Sequence, residues 1–305
     1  MRLSTHYMYQ HNIDSMSNAM TTNNDIYTRL SAQRVLLTPS DDPAGASQAV
    51  IYQNALSTLS QYDTAQLYAQ DALEQEDNVL SSIGNIMTTN LSEKIVAGGD
   101  GAMSDADRQA LATELQGIRD NLLDLANSKN SNGRYIFSGY KTGTEPFQED
   151  GTYVGGDTPM MQNVADSTTM QVGHTGQDVF MSGSSDDLFA ALDNAIAALN
   201  TPVTSDADRQ ALQQTLDNTK KTIDNGIDNL GKIQAEVGTN LQQIDSLALS
   251  SATQRINVES RLQETVGSDY GSIINLITES KMSDFALSSS MAVFQSMQKM
   301  NIFNM

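Results

Sequence analysis

Apolar residues recur at helical spacing along most of the chain, and the two ends carry stripes of different width. Near the N-terminus Ile13, Met16, Met20, Tyr27 and Leu30 follow a three-four spacing, with Asn23 at the one polar position of the series. That pattern puts a narrow stripe on one face of a helix and has the form of a coiled-coil seam. Near the C-terminus Leu287, Met291 and Phe294 continue through Asn301 to Met305, preceded by Ile273, Leu276 and Ile277 and flanked by Val293, Met297, Ile302 and Phe303. This stripe is wider and rich in methionine, whose flexible side chain adapts to more than one neighbour. Ordinary core helices of a monomeric bundle have the same periodicity, so spacing alone leaves open what covers the stripes. The candidate assembly and partner-binding residues are Ile13, Met16, Met20, Tyr27, Leu30, Leu287, Met291, Phe294 and Ile302.

The first helical pattern breaks at Thr38-Pro39-Ser40-Asp41-Asp42-Pro43-Ala44-Gly45, and a stretch without Pro and with one Gly then runs from Ala46 to Ala97. It reads as one long helix, with Asp42 as cap, Pro43 at the first helical position, and an apolar face of Leu56, Leu59, Leu67, Leu73, Leu80, Ile83, Met87, Leu91 and Ile95. At ~1.5 Å per residue, more than 50 residues span about 80 Å, which suits a rod. Gly98-Gly99-Asp100-Gly101 ends it. A second helix begins at Ser104, where Ser-x-x-Asp forms a capping box, and the same eight residues, Ser-Asp-Ala-Asp-Arg-Gln-Ala-Leu, return at Ser205 to Leu212. The second copy opens the longest seam of the chain, through Leu216, Ile223, Ile227, Leu230, Val237, Leu241, Ile244, Val258 and Leu262, with Gln234 at an intermediate position.

Between these helices the period changes. Arg134 to Tyr140, Tyr153-Val154, Met170 to Val172 and Asp178 to Phe180 are short β-prone runs separated by Gly, Asn, Asp and Pro, which predicts a small β-rich insert. Ser185 is the expected cap of a short helix ending at Leu199, before Pro202. The expected fold is mostly α with a small β-rich insert, as a long antiparallel helical rod with coiled-coil terminal helices. Its expected domains are a terminal assembly domain of residues 1–42 plus 266–305, a rod of 43–145 plus 186–265, and an outer insert of 146–185.

Charge sharpens the contrast between ends and middle. The net charge is −20, yet the first 50 residues hold four acids against three bases and the last 40 hold three against two, so the middle carries nearly all of it. Such a chain is a poor partner for nucleic acid or an anionic membrane. With no Cys, no disulfide is possible and the chain is indifferent to redox compartment. The opening Met1-Arg2-Leu3-Ser4-Thr5-His6 lacks the apolar core of a secretory signal, and no run approaches transmembrane length, so any export is expected to use another machine.

Candidate chemistry is sparse. His6, His11 and His174 are scattered, and His174 sits in a Gly-His-Thr-Gly turn with an expected structural role. No P-loop, nucleophile elbow or dinucleotide fingerprint occurs. Asp41-Asp42, Asp105/Asp107 and Asp206/Asp208 stand at helix starts, where carboxylates cap amides, and none has calcium-loop spacing. The expectation is a protein with no enzymatic activity, no cofactor and no metal.

Three segments together resemble the flagellin superfamily and, within it, the hook–filament junction family of flagellin-like hook-associated proteins. They are Met1-Arg2-Leu3-Ser4-Thr5, the Pro39 to Ala44 junction containing Asp41, Asp42 and Pro43, and the run from Gln116 through Asn132-Gly133-Arg134-Tyr135-Ile136-Phe137-Ser138-Gly139-Tyr140 to Phe147. The Asn-Gly-Arg-Tyr run separates the junction family from filament flagellins. At Ala32-Gln33-Arg34-Val35 the usual Gly is replaced, so the first helix is expected to run closer to Thr38. The resemblance implies that both termini pair as an inner coiled-coil layer lining a tube, that helices 43–97, 104–130 and 204–265 form the next layer, and that the insert points outward. It further implies a ring of copies of this chain joining a preceding hook-associated protein to flagellin. Type III export and a cytoplasmic export chaperone holding the C-terminal helix are implied as well. The alternatives are a filament-forming flagellin and a monomeric secreted coiled-coil binding module.

Overall fold

The computed structural model describes the backbone of residues 2–302, and the side chains of these residues apart from 2–5, 297 and 300–302. Over that range the chain is mostly α-helical with one small antiparallel sheet, the fold class that the hydrophobic pattern implies. Helix α1 spans Arg2–Ala32 and stops there. The expectation that it would continue towards Thr38 for want of a glycine is wrong: Gln33 itself adopts the left-handed conformation, φ 53°. The Arg34 amide then donates back to the Arg29 carbonyl at 3.2 Å and closes the helix end.

Helix α2, Pro43–Asn85, starts as its sequence suggests, with the Asp42 carboxylate accepting the Ala44 amide at 3.0 Å and Pro43 at the first helical position. The predicted single helix to residue 97 is instead interrupted by a π-helical segment, Ile86–Leu91, before α3, Ser92–Gly98. Ile83, Met87, Leu91 and Ile95 are all buried and spaced by four, a run that drifts off the face of a 3.6-residue helix. The wider π turn restores it to the core, while the Thr88 and Thr89 hydroxyls donate to the carbonyls of Gly84 and Asn85 at 2.7 and 2.5 Å. Leu67 departs from the predicted face and is exposed; Gln66 and Ala69 turn inward beside it.

Helix α4, Asp105–Ala126, has the reciprocal capping box expected at Ser104 and Asp107. The insert's regular structure is β1, Met160–Ala165, antiparallel to β2, Thr168–Gly173, with Gln162 opposite Met170. Met170 to Val172 thus lies on a strand as expected, whereas β1 was not among the β-prone runs, having little β-branched or aromatic content. Arg134 to Tyr140 and Tyr153-Val154 supply only isolated bridges, such as Phe147 opposite Tyr153. Asp178 to Phe180, expected to be β, belongs to the short helix α5, Gly176–Phe180, because the Thr175 hydroxyl caps it by accepting the Asp178 amide at 3.2 Å. Helix α6, Leu188–Asn200, is capped by Asp187 rather than Ser185. Helix α7, Asp206–Val266, repeats the capping box at Ser205 and Asp208, and α8 spans Tyr270–Ile302.

The chain forms two compact units: Gln61–Ser250, and a terminal unit of the segments on either side of it. The core of Gln61–Ser250 is layered along α2, α3, α4, α6 and α7, whose Leu73, Leu80, Leu115, Leu122, Leu192 and Ile223 are fully buried. Phe147, Phe180 and Phe189 close it, and Arg119 seals one side by a two-pronged bond to Asp193 at 2.6 and 3.2 Å.

Candidate assembly interface

In the terminal unit α1 and α8 pack antiparallel, with the Tyr9 and Phe294 rings 5.4 Å apart and Asn23 beside Ser283 and Asp284. Beside the half-buried Arg29, the residues that α1 shields from solvent are Tyr9, Asn12, Met16, Ala19, Asn23, Ile26 and Leu30. Beside the half-buried Ser272 and Asp284, those of α8 are Ile273, Leu276, Ser280, Ser283, Leu287, Ser290 and Phe294. Both series keep strict three-four spacing, so the two helices form an antiparallel coiled-coil pair, in whose seam Asn12, Ala19, Asn23, Ser280, Ser283 and Ser290 interrupt the larger groups. Asn23 fixes the register: its amide donates to Asp284 Oδ1 at 2.9 Å and Ser283 Oγ at 3.3 Å, and the Tyr27 hydroxyl donates to Asp284 Oδ2 at 2.9 Å.

The base of this unit is pinned by backbone. Helix α7 ends at Gly267, φ 65°, where a Cβ would stand 2.6 Å from Val35 Cβ, and the amides of Val35 and Leu36 both donate to the Val266 carbonyl at 3.0 Å. Asp41 orders the turn from α1 to α2 by accepting the amides of Thr38 and Leu37 at 2.8 and 3.1 Å, which holds its carboxyl below the usual carboxylate range. Arg29 bridges Asp25 and Asp41, and the Asp25 bond raises its guanidinium above the ordinary arginine value.

The sequence-derived residues divide on this pair. Met16, Leu30, Leu287 and Phe294 lie along the seam, whereas Ile13, Met20, Tyr27 and Met291 stand beside it, with 37%, 47%, 47% and 40% of their surface exposed. Ile302 is in the last described turn of α8, and its side chain lies outside the described residues. Ile13, Met20 and Tyr27 are spaced by seven, as are Ile277, Asp284 and Met291. The Tyr27–Asp284 bond places both series on the same flank of the pair, and from Ile13 to Tyr27 and from Ile277 to Met291 these positions are apolar except for Asp284. Ile274, Met282 and Phe285 extend the exposed apolar surface of α8. Spacing had not separated the shielded Asn12, Ala19 and Ile26 from the exposed Ile13, Met20 and Tyr27. The two series differ by one residue and share Met16, Asn23 and Leu30.

The remaining motif residues are architectural. Asn130 Oδ1 accepts the amides of Asn132 and Arg134, both at 3.0 Å, and Gly133, φ 75°, turns the chain so that Lys129 Nζ lies 4.6 Å over the Tyr135 ring. Among the described residues no cluster of His, Asp or Glu has the arrangement of a metal site, and no helix is long and apolar enough to cross a membrane.

Residues 3–142, which include α1 of this paired terminal unit from Leu3 on, match the bacterial flagellin N-terminal helical region. Flagellar hook-associated protein 3 of Escherichia coli (strain K12) is 38% identical over 319 residues, an alignment covering 100% of this chain and 99% of that relative. The chain belongs to this family of structural flagellar proteins. Solved structures with the same fold include Xanthomonas campestris FlgL, with a TM-score of 0.63 and 19% identity over 70% of this chain and 99% of that one. The flagellar junction protein FlgL from Legionella pneumophila superposes with a TM-score of 0.58 and 18% identity, over 72% of this chain and 100% of its own.

Proposed function

We propose that this chain is the structural junction protein of a flagellum, assembling as an adaptor ring of copies between a preceding hook-associated protein and the flagellin filament. The observation that carries the reading is the antiparallel pair of α1 and α8, whose seam intersperses small and polar residues among its larger groups and which leaves Ile13, Met20, Tyr27, Ile277 and Met291 on one exposed flank. A monomeric coiled-coil module would carry polar or charged residues on the flank beside its seam. Exposed apolar groups in register along two paired helices are what neighbouring subunits cover in an assembly. The role is mechanical rather than enzymatic. The terminal helices with their 1–42 and 266–305 segments form the assembly domain, residues 43–145 with 186–265 the rod, and 146–185 the outer insert. The subunit reaches the junction by type III export. Before export, a cytoplasmic chaperone masks the methionine-bearing face of α8, which would otherwise aggregate.

Replacing Met20 and Met291 by Asp tests this in motile cells lacking the natural chain. The expected phenotype is hooks without filaments, with flagellin lost to the medium and the altered subunit, if exported, not retained. Full-length filaments on cells carrying the double variant would reject the reading.

A further inference from the structure

We propose that Glu76, His174 and Glu236 form a proton-dependent latch that fastens the β1–β2 hairpin to α2 and α7 and loosens as the solution becomes alkaline. The inference goes beyond the assembly reading and does not rest on it. His174 follows β2 directly: its amide donates to Glu76 Oε1 of α2 at 2.8 Å, and its Nδ1 lies 3.0 Å from the same oxygen. Its Nε2 faces Glu236 Oε2 of α7 at 3.6 Å. Glu76 is wholly buried, and its second oxygen and His174 Nε2 have no hydrogen-bond partner.

A buried carboxylate is costly unless a cation compensates it, and the imidazole is the one cationic group paired with Glu76 among the described residues. The charges that bear on His174 are acidic from both sides, Glu76 on α2 and Glu236 on α7. On α5, Asp178 is occupied by the Thr175 hydroxyl at 2.6 Å, and the nearby Tyr153 hydroxyl donates to the Phe137 and Gly156 carbonyls. The protonated ring therefore bridges two carboxylates, and the neutral ring leaves Glu76 as an uncompensated charge. Two neutral bonds persist at any pH, from Gln66 to the Val164 carbonyl at 2.8 Å and from Asn240 to the Gln171 carbonyl at 3.1 Å. The hairpin accordingly loosens rather than detaches.

Burial alone would lower the imidazole, but the bond and charge of Glu76, with the charge of Glu236, outweigh it and hold His174 above its ordinary value. A group raised on folding contributes stability that is complete below its unfolded value, about 6.5 for histidine, and is lost as pH rises through the folded value.

The test follows the ring protons of His174 by NMR in the full chain, with histidines in short unstructured peptides as references, alongside amide exchange of β1 and β2 corrected for intrinsic rates. Between about pH 6 and about pH 9, His174 should titrate above the reference histidines, and hairpin protection should fall roughly tenfold through the same midpoint while α4 stays constant. His174→Gln should show low protection with no pH step, and Glu76→Gln should move the ring titration below the references. A His174 that titrates with or below the references overturns the latch, as does a step that survives in His174→Gln. Should that variant fail to fold, the wild-type ring titration decides alone.

Discussion

The core of Gln61–Ser250 closes on Phe147, Phe180 and Phe189, with neighbouring rings 5.1 to 5.3 Å apart, whereas on the seam of α1 and α8 Asn12, Ala19, Asn23, Ser280, Ser283 and Ser290 interrupt larger groups such as Met16, Ile26, Leu276 and Leu287. Both regions are helical and both contain large apolar side chains. They differ in where those side chains point. Burying one such group fully returns about 1.5 to 3 kcal/mol, so the first region completes its stabilisation within one chain and the second leaves part of it unrealised there. The polar groups at the seam give the pair a register, held by Asn23, Tyr27 and Asp284, at a cost in its own strength.

That contrast is broken most severely by opening the buried core. Phe147→Ala should cost about 3 to 5 kcal/mol, read as a lower thermal midpoint of the purified chain, because three aromatic neighbours lose their packing at once. A comparable loss from Met20→Asp would erase the distinction between the regions. That substitution should change the chain's own stability by within about 0.5 kcal/mol, as for other exposed positions, and act on assembly instead.

Gly267→Ala is smaller and local. It forces a Cβ into the left-handed region and against Val35, so about 1 to 3 kcal/mol of loss is expected, confined to the terminal unit and visible as faster amide exchange at Val35 and Leu36. Gln33→Gly is the complement. It relieves the left-handed strain at the end of α1 and should stabilise the unit by roughly 1 kcal/mol at most, as a small rise in its unfolding midpoint.

Reading the residues alone reached much of this. The two capping boxes at Ser104 and Ser205, the Asp42-Pro43 start of α2 and the buried series from Leu216 to Ile244 are local signals, and local chemistry decides them. The π segment was hidden because a run spaced by four reads as helix either way. The Asp178 to Phe180 run looked extended by composition, and a single Thr175 hydroxyl made it helical. At the interface, periodicity identified the right helices and left the seam one residue ambiguous, since Ile13, Met20 and Tyr27 and the shielded Asn12, Ala19 and Ile26 fit the same heptad frame. Apolar content favoured the first series, and the intramolecular partner took the second. Glu76 was illegible for a related reason: a carboxylate on a long acidic helix gives no sign of being buried until His174, 98 positions away, is placed beside it.

The flank of the α1–α8 pair is the central claim, and the absence of native cysteine makes it directly measurable. Met20→Cys gives the chain a single thiol on that flank, and Asn132→Cys gives one on the exposed turn of the other unit. Maleimide labelling rates are compared between free subunits and the same subunits in isolated flagella. The account predicts rapid labelling of Met20→Cys in the free chain and protection of roughly tenfold or more in flagella, with Asn132→Cys retaining most of its rate. Equal labelling of Met20→Cys in the two states would contradict it.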